Sequence, residues 1–126
     1  MNFPEHLKYT KDHEWIQING DTGTVGITDY AQGELGDVVF VELPAVGKSI
    51  KTHDTFGTIE AVKAVSDLYA PVSGSIVETN PELEKTPEIV NKDPYGKGWM
   101  VKIKMSNPTE AAGLLSATAY KQLIGK

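Results

Sequence analysis

The sequence predicts a mainly β fold of short strands, finished by a helical segment near the C-terminus. Three observations predict it. The 12 glycines and 7 prolines are spread along the chain and cut it into short segments. Several of these segments are β runs bounded by turn residues. Residues 99–105 alternate strictly, with Trp99, Val101, Ile103 and Met105 on one side and Lys102 and Lys104 on the other, the pattern of a half-buried strand.

The elements follow in order. Residues 15–18 form a β run that stops at Asn19-Gly20, a strong tight-turn dipeptide, and residues 22–27 read as the return strand. Thr28 or Asp29 then caps a short helix through Gln32, with Gly33 and Gly36 stopping it. Residues 38–43 are a strong strand closed by Pro44, and Gly47-Lys48-Ser49 marks the next turn. Residues 56–60 are strand-like. Residues 68–70 run into Pro71, which makes that stretch an edge or a bend. After a Ser73-Gly74 turn, residues 75–79 form another strand. Asn80-Pro81-Glu82 and Thr86-Pro87-Glu88 each pair a capping residue with proline at the first helical position, so each predicts a single helical turn. Beyond Asn107-Pro108, residues 110–115 and 117–124 read as helical, with Leu114, Leu115, Ala119, Tyr120 and Leu123 available as an apolar face.

Composition bounds the function. A chain of 126 residues is one domain, covering 1–126, with enough hydrophobic surface to fold without staples. Twelve Lys plus Arg against 17 Asp plus Glu leave a net charge of -5, which argues against nucleic acid or an anionic membrane as partner. There are no cysteines, hence no disulfide, no thiolate metal site and no Cys nucleophile. Apolar runs such as Val38-Val39-Phe40-Val41 end far short of the ~20 residues a membrane helix needs. The N-terminus has neither a signal core nor an Arg-rich leader, so a cytoplasmic location is the default, although a processed organelle protein would look the same.

Three kinds of site are not indicated. His6, His13 and His53 are scattered, without a His or Cys partner at ligand spacing. No glycine-rich loop is followed by Lys and Ser or Thr. Ser73 is not framed as Gly-x-Ser-x-Gly, because position 71 is proline. The remaining feature is Lys63, set between two strand-like flanks among the small or β-branched Ala61, Val62 and Ala64. A lysine at a hairpin tip is ordinarily a solvated turn residue. It can also offer its amine to a modifying enzyme, with the flanking strands holding the tip rigidly away from the body.

At this lysine the chain resembles a known family. Tyr9-Thr10-Lys11-Asp12-His13-Glu14-Trp15, Val25-Gly26-Ile27-Thr28-Asp29-Tyr30-Ala31-Gln32, Glu60-Ala61-Val62-Lys63-Ala64, Ser66-Asp67-Leu68-Tyr69-Ala70-Pro71-Val72-Ser73-Gly74 and Asn91-Lys92-Asp93-Pro94-Tyr95-Gly96, in this order, are similar to the H protein of the glycine cleavage system. Leu35-Gly36-Asp37 and the strand that follows it match as well, so the resemblance runs over nearly the whole chain. Ala61 departs from it, since the familiar motif has serine there.

The resemblance implies a lipoyl/biotinyl-type barrel-sandwich hybrid: two antiparallel sheets with short helices and a C-terminal helix. It implies a non-catalytic carrier, expected as a monomer, with lipoate in amide linkage on Lys63. The arm would take an aminomethyl group from a pyridoxal-phosphate glycine decarboxylase to a tetrahydrofolate-dependent aminomethyltransferase. Dihydrolipoyl dehydrogenase would then reoxidise it, and a lipoate-attaching enzyme would install it. No nucleic acid or membrane enters this scheme, and no metal. By the same resemblance Glu14 and Asp67, with His13 and Asp12 nearby, shelter the loaded arm. Glu60, three residues before Lys63, and Asp67, four after it, fall on opposite arms of the hairpin and present carboxylates near the tip, and Glu60 is expected to guide recognition by the lipoate-attaching enzyme.

Other readings compete. Biotinyl carriers share the fold logic but flank the lysine with methionine, where Val62 and Ala64 stand here. Lipoyl domains of 2-oxoacid dehydrogenases hang on Ala/Pro-rich linkers, absent here. An unmodified interaction module would use the same surface. A Schiff-base enzyme would need a desolvated Lys63 with a lowered pKa, for which the tip offers no pocket in sequence.

Overall fold

The computed structural model describes all 126 residues. The strands are β1 (Lys8–Tyr9), β2 (Glu14–Asn19), β3 (Thr22–Ile27), β4 (Val38–Glu42), β5 (Ser49–Ile50), β6 (Thr55–Ala61), β7 (Val65–Tyr69), β8 (Gly74–Thr79) and β9 (Val101–Met105). The helices are α1 (Asp29–Leu35), α2 (Glu82–Lys85), α3 (Ile89–Lys92) and α4 (Ala117–Leu123), with a 3-10 helix at Pro108–Gly113. The strands form two sheets, one in the order β1-β2-β3-β9-β8-β5 and one in the order β4-β6-β7. Every pairing is antiparallel, and the two sheets stay separate instead of closing into one barrel.

A core of 18 buried residues draws on both sheets, with Ile16, Val25 and Ile103 from the larger and Val41, Ile59 and Leu68 from the smaller. A second cluster, Phe3, Leu7, Tyr9, Trp15, Ala117 and Tyr120, fastens the N-terminal segment and α4 to the outside of β1 and β2. Tyr120 lies at its centre, stacked on Tyr9 at 4.9 Å and edge-on to Phe3 at 5.6 Å. Helix α4 is too short to be stable alone. Two buried residues and this aromatic contact hold it in place.

Several elements differ from the sequence reading, each for a local reason. The hairpin between β2 and β3 pairs Asn19 with Thr22, so Gly20 and Asp21, not Asn19 and Gly20, form its two-residue loop. Only Gly20 has positive φ (63°), as a loop with glycine at its first position requires. Helix α1 runs through Gly33 and stops at Gly36, whose φ of 80° ends the helical path. A glycine inside a short helix is a tolerated cost when the cap is good, and Thr28 caps α1 by accepting from the Ala31 amide. The prolines before α2 and α3 sit just ahead of the helical residues, with Pro81 at the N-cap and Glu88, after Pro87, at the N-cap of α3. The segment before α4 is a 3-10 helix that starts at Pro108 and ends at Gly113, two residues short of Leu115.

Met100 breaks the alternation read in residues 99–105, because β9 begins only at Val101 and the turn before it drives Met100 fully into the main core. Leu123 is exposed, since α4 buries Ala117 and Tyr120 instead.

Close packing around Gly26 sets one stability prediction. A Cβ there would lie 2.7 Å from the indole nitrogen of Trp15, itself buried and hydrogen-bonded to the Pro94 carbonyl. Gly26→Val should therefore lower stability by ~1–3 kcal/mol, read as a lower urea midpoint at unchanged slope.

Candidate functional site

Lys63 is the middle residue of the three-residue loop, 62–64, that joins β6 to β7. Two backbone bonds hold the loop. The Ala61 amide donates to the Ala64 carbonyl at 2.8 Å, and the Val62 amide donates to the Asp37 carbonyl at 3.0 Å. The second bond ties the tip to the segment that leaves α1. Lys63 is exposed and makes no ion pair. Its stem runs past Gly36, where an added Cβ would lie 3.6 Å from the lysine Cε. The stem therefore lies alongside this backbone, at a distance where an added methyl would make only ordinary van der Waals contact.

The register sorts the tip's neighbours. In the three-stranded sheet the row Val41, Ile59 and Ser66 includes two core residues, whereas the neighbouring row Phe40, Glu60 and Val65 is exposed throughout. A bulge at Val39 exposes that residue too. Val39, Phe40, Val62 and Val65 account for four of the chain's eight exposed large hydrophobics, and all four lie in strands or loops adjoining the tip. Glu60 stands among them. Asp67 is paired with Thr58, further from the tip, and borders a cavity that Glu60 does not reach.

That cavity, of about 340 Å³, lies between the ends of β2 and β3, strands β6 and β7 of the smaller sheet, and α1. Asp12, His13, Glu14 and Asp67 all line it, so the structure brings the four sequence-selected shelter residues together. Three of them are consecutive, which alternation along an extended strand would forbid. The reason is the turn that precedes β2. His13 takes a φ of 72° and its amide donates to the Thr10 carbonyl, which closes a tight loop. Thr10 organises this loop: its Oγ1 receives the amides of Asp12 and Glu14, both at 3.2 Å, and donates to Glu14 Oε1 at 2.9 Å.

Glu14 opens β2, an interior strand, and is buried. Its second oxygen accepts from the Tyr69 amide of β7 at 3.3 Å, a link from one sheet to the other. Burial pushes its pKa up, against the two hydrogen bonds that pull it down, to about 8. Burial thus favours the acid form of Glu14 over the carboxylate. The exposed carboxyl groups on the rim are those of Glu34 and Asp67, with Asp12 half-buried beside them.

The sequence reading missed Tyr30, Glu34 and Ser66, which also line the cavity. Tyr30 and Glu34 stand four residues apart on α1, a spacing that puts both on one helix face. The Glu34 carboxylate beside the Tyr30 phenol pushes its pKa up. The C-terminal end of α1 joins the two parts of the site, since Glu34 and Leu35 line the cavity while Gly36 underlies the Lys63 stem. The other histidines lie apart from it. His6 is exposed, and His53, exposed with a φ of 73°, approaches Asp12 at 4.0 Å.

Two antiparallel sheets that hold a lysine on a hairpin tip are the architecture of a swinging-arm carrier domain. Residues 7–126 match the family described as Glycine cleavage H-protein. The glycine cleavage system H protein of Staphylococcus carnosus is 58% identical over 126 residues, covering 100% of both chains. That of Bacteroides thetaiotaomicron is 56% identical over 124 residues, 98% of each chain. The crystal structure of a glycine cleavage system H protein from Mycobacterium marinum superposes with a TM-score of 0.90 at 41% identity, covering 98% of this chain and 99% of that one. The chain belongs to the glycine cleavage H-protein family, whose members are carrier subunits and not catalysts.

The buried Glu14 makes stability depend on pH. Its folded-state pKa of about 8 lies above its ordinary 4.5, so between those values the folded state holds more protons than the unfolded one. Its contribution is full below 4.5, falls as pH rises towards about 8, and is flat above. Urea unfolding at the two ends of this window should show a loss on the order of a few kcal/mol in the wild type and a much smaller one in Glu14→Gln.

Proposed function

We propose that Lys63 carries lipoate in amide linkage and that the chain, as one domain, is the lipoyl carrier of the glycine cleavage system. The observation that carries this reading is the pairing of an exposed, unpaired lysine on a tethered tip with a carboxyl-lined cavity reached from the same helix end. The residues fit the group. The tip is narrow, the lysine's neighbours are small or β-branched, and the absence of cysteine leaves no protein thiol to form a mixed disulfide with the arm. Bound lipoate supplies a dithiolane that accepts the aminomethyl group with reduction of its disulfide and is later reoxidised.

The chain's own residues do the rest. Lys63 sets the arm's origin, and the Val62–Asp37 bond fixes that origin relative to α1. Asp67, Asp12 and Glu34 offer charge-assisted hydrogen bonds to a cationic amine, each worth ~1.5–3 kcal/mol when ordered. Glu14 completes the set by releasing its proton when a cation arrives. His13 closes one wall. Keeping the amine in its cationic form among these groups slows its loss, because an ammonium nitrogen has no lone pair with which to expel the sulfur.

The partners are those of the pathway: glycine decarboxylase with pyridoxal phosphate, aminomethyltransferase with tetrahydrofolate, dihydrolipoyl dehydrogenase and a lipoate-attaching enzyme. The one-carbon unit passes to folate. The protein acts as a monomer in the cytoplasm of a bacterial cell, or in the mitochondrial matrix were it a processed eukaryotic protein. No helix is long and apolar enough to cross a membrane.

Intact mass after expression with lipoate and the attaching enzyme tests the assignment. A single lipoyl adduct on the peptide containing Lys63 is expected, and none in Lys63→Arg, which keeps charge and fold but offers no acylable amine. An adduct that persists in Lys63→Arg contradicts it. Glu60, exposed between Phe40 and Val65, serves recognition by the attaching enzyme. Glu60→Gln should slow lipoylation several-fold while shifting stability by less than ~1 kcal/mol, and equal rates would remove the role.

A further inference from the structure

The C-terminal helix α4 reaches His13, a wall of the cavity, through one hydroxyl. Tyr120 is fully buried, and its hydroxyl lies 2.9 Å from His13 Nδ1 and 2.8 Å from Thr28 Oγ1. Thr28 is also fully buried, and its Oγ1 already accepts the Ala31 amide at 3.2 Å as the cap of α1. The direction of the hydrogens along this chain can be worked out. The Thr28 hydroxyl hydrogen has one acceptor within reach, the Tyr120 oxygen. If it is donated there, Tyr120 must donate its own hydrogen to His13 Nδ1. Nδ1 is then an acceptor, and the proton of the neutral ring sits on Nε2. The reverse direction would have His13 Nδ1–H donate to Tyr120 and Tyr120 donate to Thr28. It leaves the Thr28 hydrogen buried without a partner, an arrangement native structures avoid. A doubly protonated His13 would leave one buried hydroxyl hydrogen, that of Thr28 or that of Tyr120, without a partner.

We propose that Tyr120 is a positioning residue of the cavity: its hydroxyl, oriented by Thr28, locks His13 in the neutral Nε2–H form. This rests, for its purpose, on the reading of the cavity as the place of a cationic amine. An imidazolium there would be a built-in counter-ion to the same carboxyl groups and would compete with the incoming ammonium. The groups that face His13 pull towards that outcome. Asp12 and Glu14 flank it in the chain, Glu34 and Tyr30 reach it from α1, with the Tyr30 ring at 5.1 Å, and Asp67 lies across the cavity on β7. His53 sits beyond Asp12. Burial opposes Asp12 and Glu34 and holds the His13 pKa below its ordinary value. The Thr28–Tyr120 chain adds a directional reason for the same state, and it makes α4 part of the carrier site and not only a cover for the second core.

Nitrogen-15 NMR of the imidazole rings tests this on the unmodified protein, so the result stands apart from lipoylation. His13 should show the Nε2–H tautomer and titrate below an ordinary histidine. Tyr120→Phe keeps the ring that stacks on Tyr9 and removes only the hydroxyl. It should give a mixture of tautomers and raise the His13 midpoint by about one pH unit, as neighbouring carboxylates then favour the charged ring. Thr28→Val, which touches no ring, should also lose the tautomer preference, and Thr28→Ser should restore it. These two variants serve as the test should Tyr120→Phe fail to fold. A wild-type Nδ1–H tautomer, or a Tyr120→Phe or Thr28→Val protein with the wild-type tautomer and midpoint, would overturn the proposal.

Discussion

The site depends on the burial of one carboxyl group. Glu14 is taken out of water at the start of β2 and held by the Thr10 hydroxyl on one oxygen and the Tyr69 amide on the other. The first contact shapes the loop of residues 10–14, and the second ties the larger sheet to β7 of the smaller one. Both sheets already share the main core, so packing joins them and Glu14 fixes where β2 of the larger meets β7 of the smaller. Burial holds this carboxyl against its ordinary ionisation. An apolar side chain would spare the protein that cost, but would leave the Thr10 hydroxyl and the Tyr69 amide unpaired and the cavity without its innermost acid. Strain of this kind gathers at functional sites, and the positive φ at neighbouring His13 belongs to the same loop.

The proposed attachment point and the proposed shelter lie apart and are joined by backbone. Lys63 needs exposure, so that other proteins can reach it; the cavity needs walls. Gly36 and Asp37 connect the two, one by running alongside the lysine stem and the other by accepting the Val62 amide at its backbone carbonyl. Asn91 steadies that joint. Its side chain donates to the Gly36 carbonyl at 2.8 Å and accepts from the Val38 amide at 2.9 Å. The single-turn helix α3 thereby acts on the site from outside it.

Local signals carried much of this into the sequence. Turn chemistry and β runs marked most strands, and the small residues around Lys63 marked its tip. The resemblance then pointed to Glu14, Asp67, His13 and Asp12, which the fold gathers around one cavity. What escaped was non-local. Met100 enters the core because a turn, not a strand, leads into β9. Gly33 stays helical because the Thr28 cap and the later stop at Gly36 outweigh one glycine. The 3-10 helix after Asn107 and the exposure of Leu123 follow from how the tail docks on the second core. Tyr120 lies 107 residues from His13 in sequence and meets it only through that docking.

The central claim is that the folded protein protects what Lys63 carries. Its most direct test is the lifetime of the aminomethyl-loaded carrier, isolated from its enzymes in neutral buffer. The load should persist longest on the folded wild type, several-fold less on Asp67→Ala and Glu14→Ala, and least on the unfolded chain. Release at one common rate from all four would contradict the account, because the cavity would then give the arm no shelter.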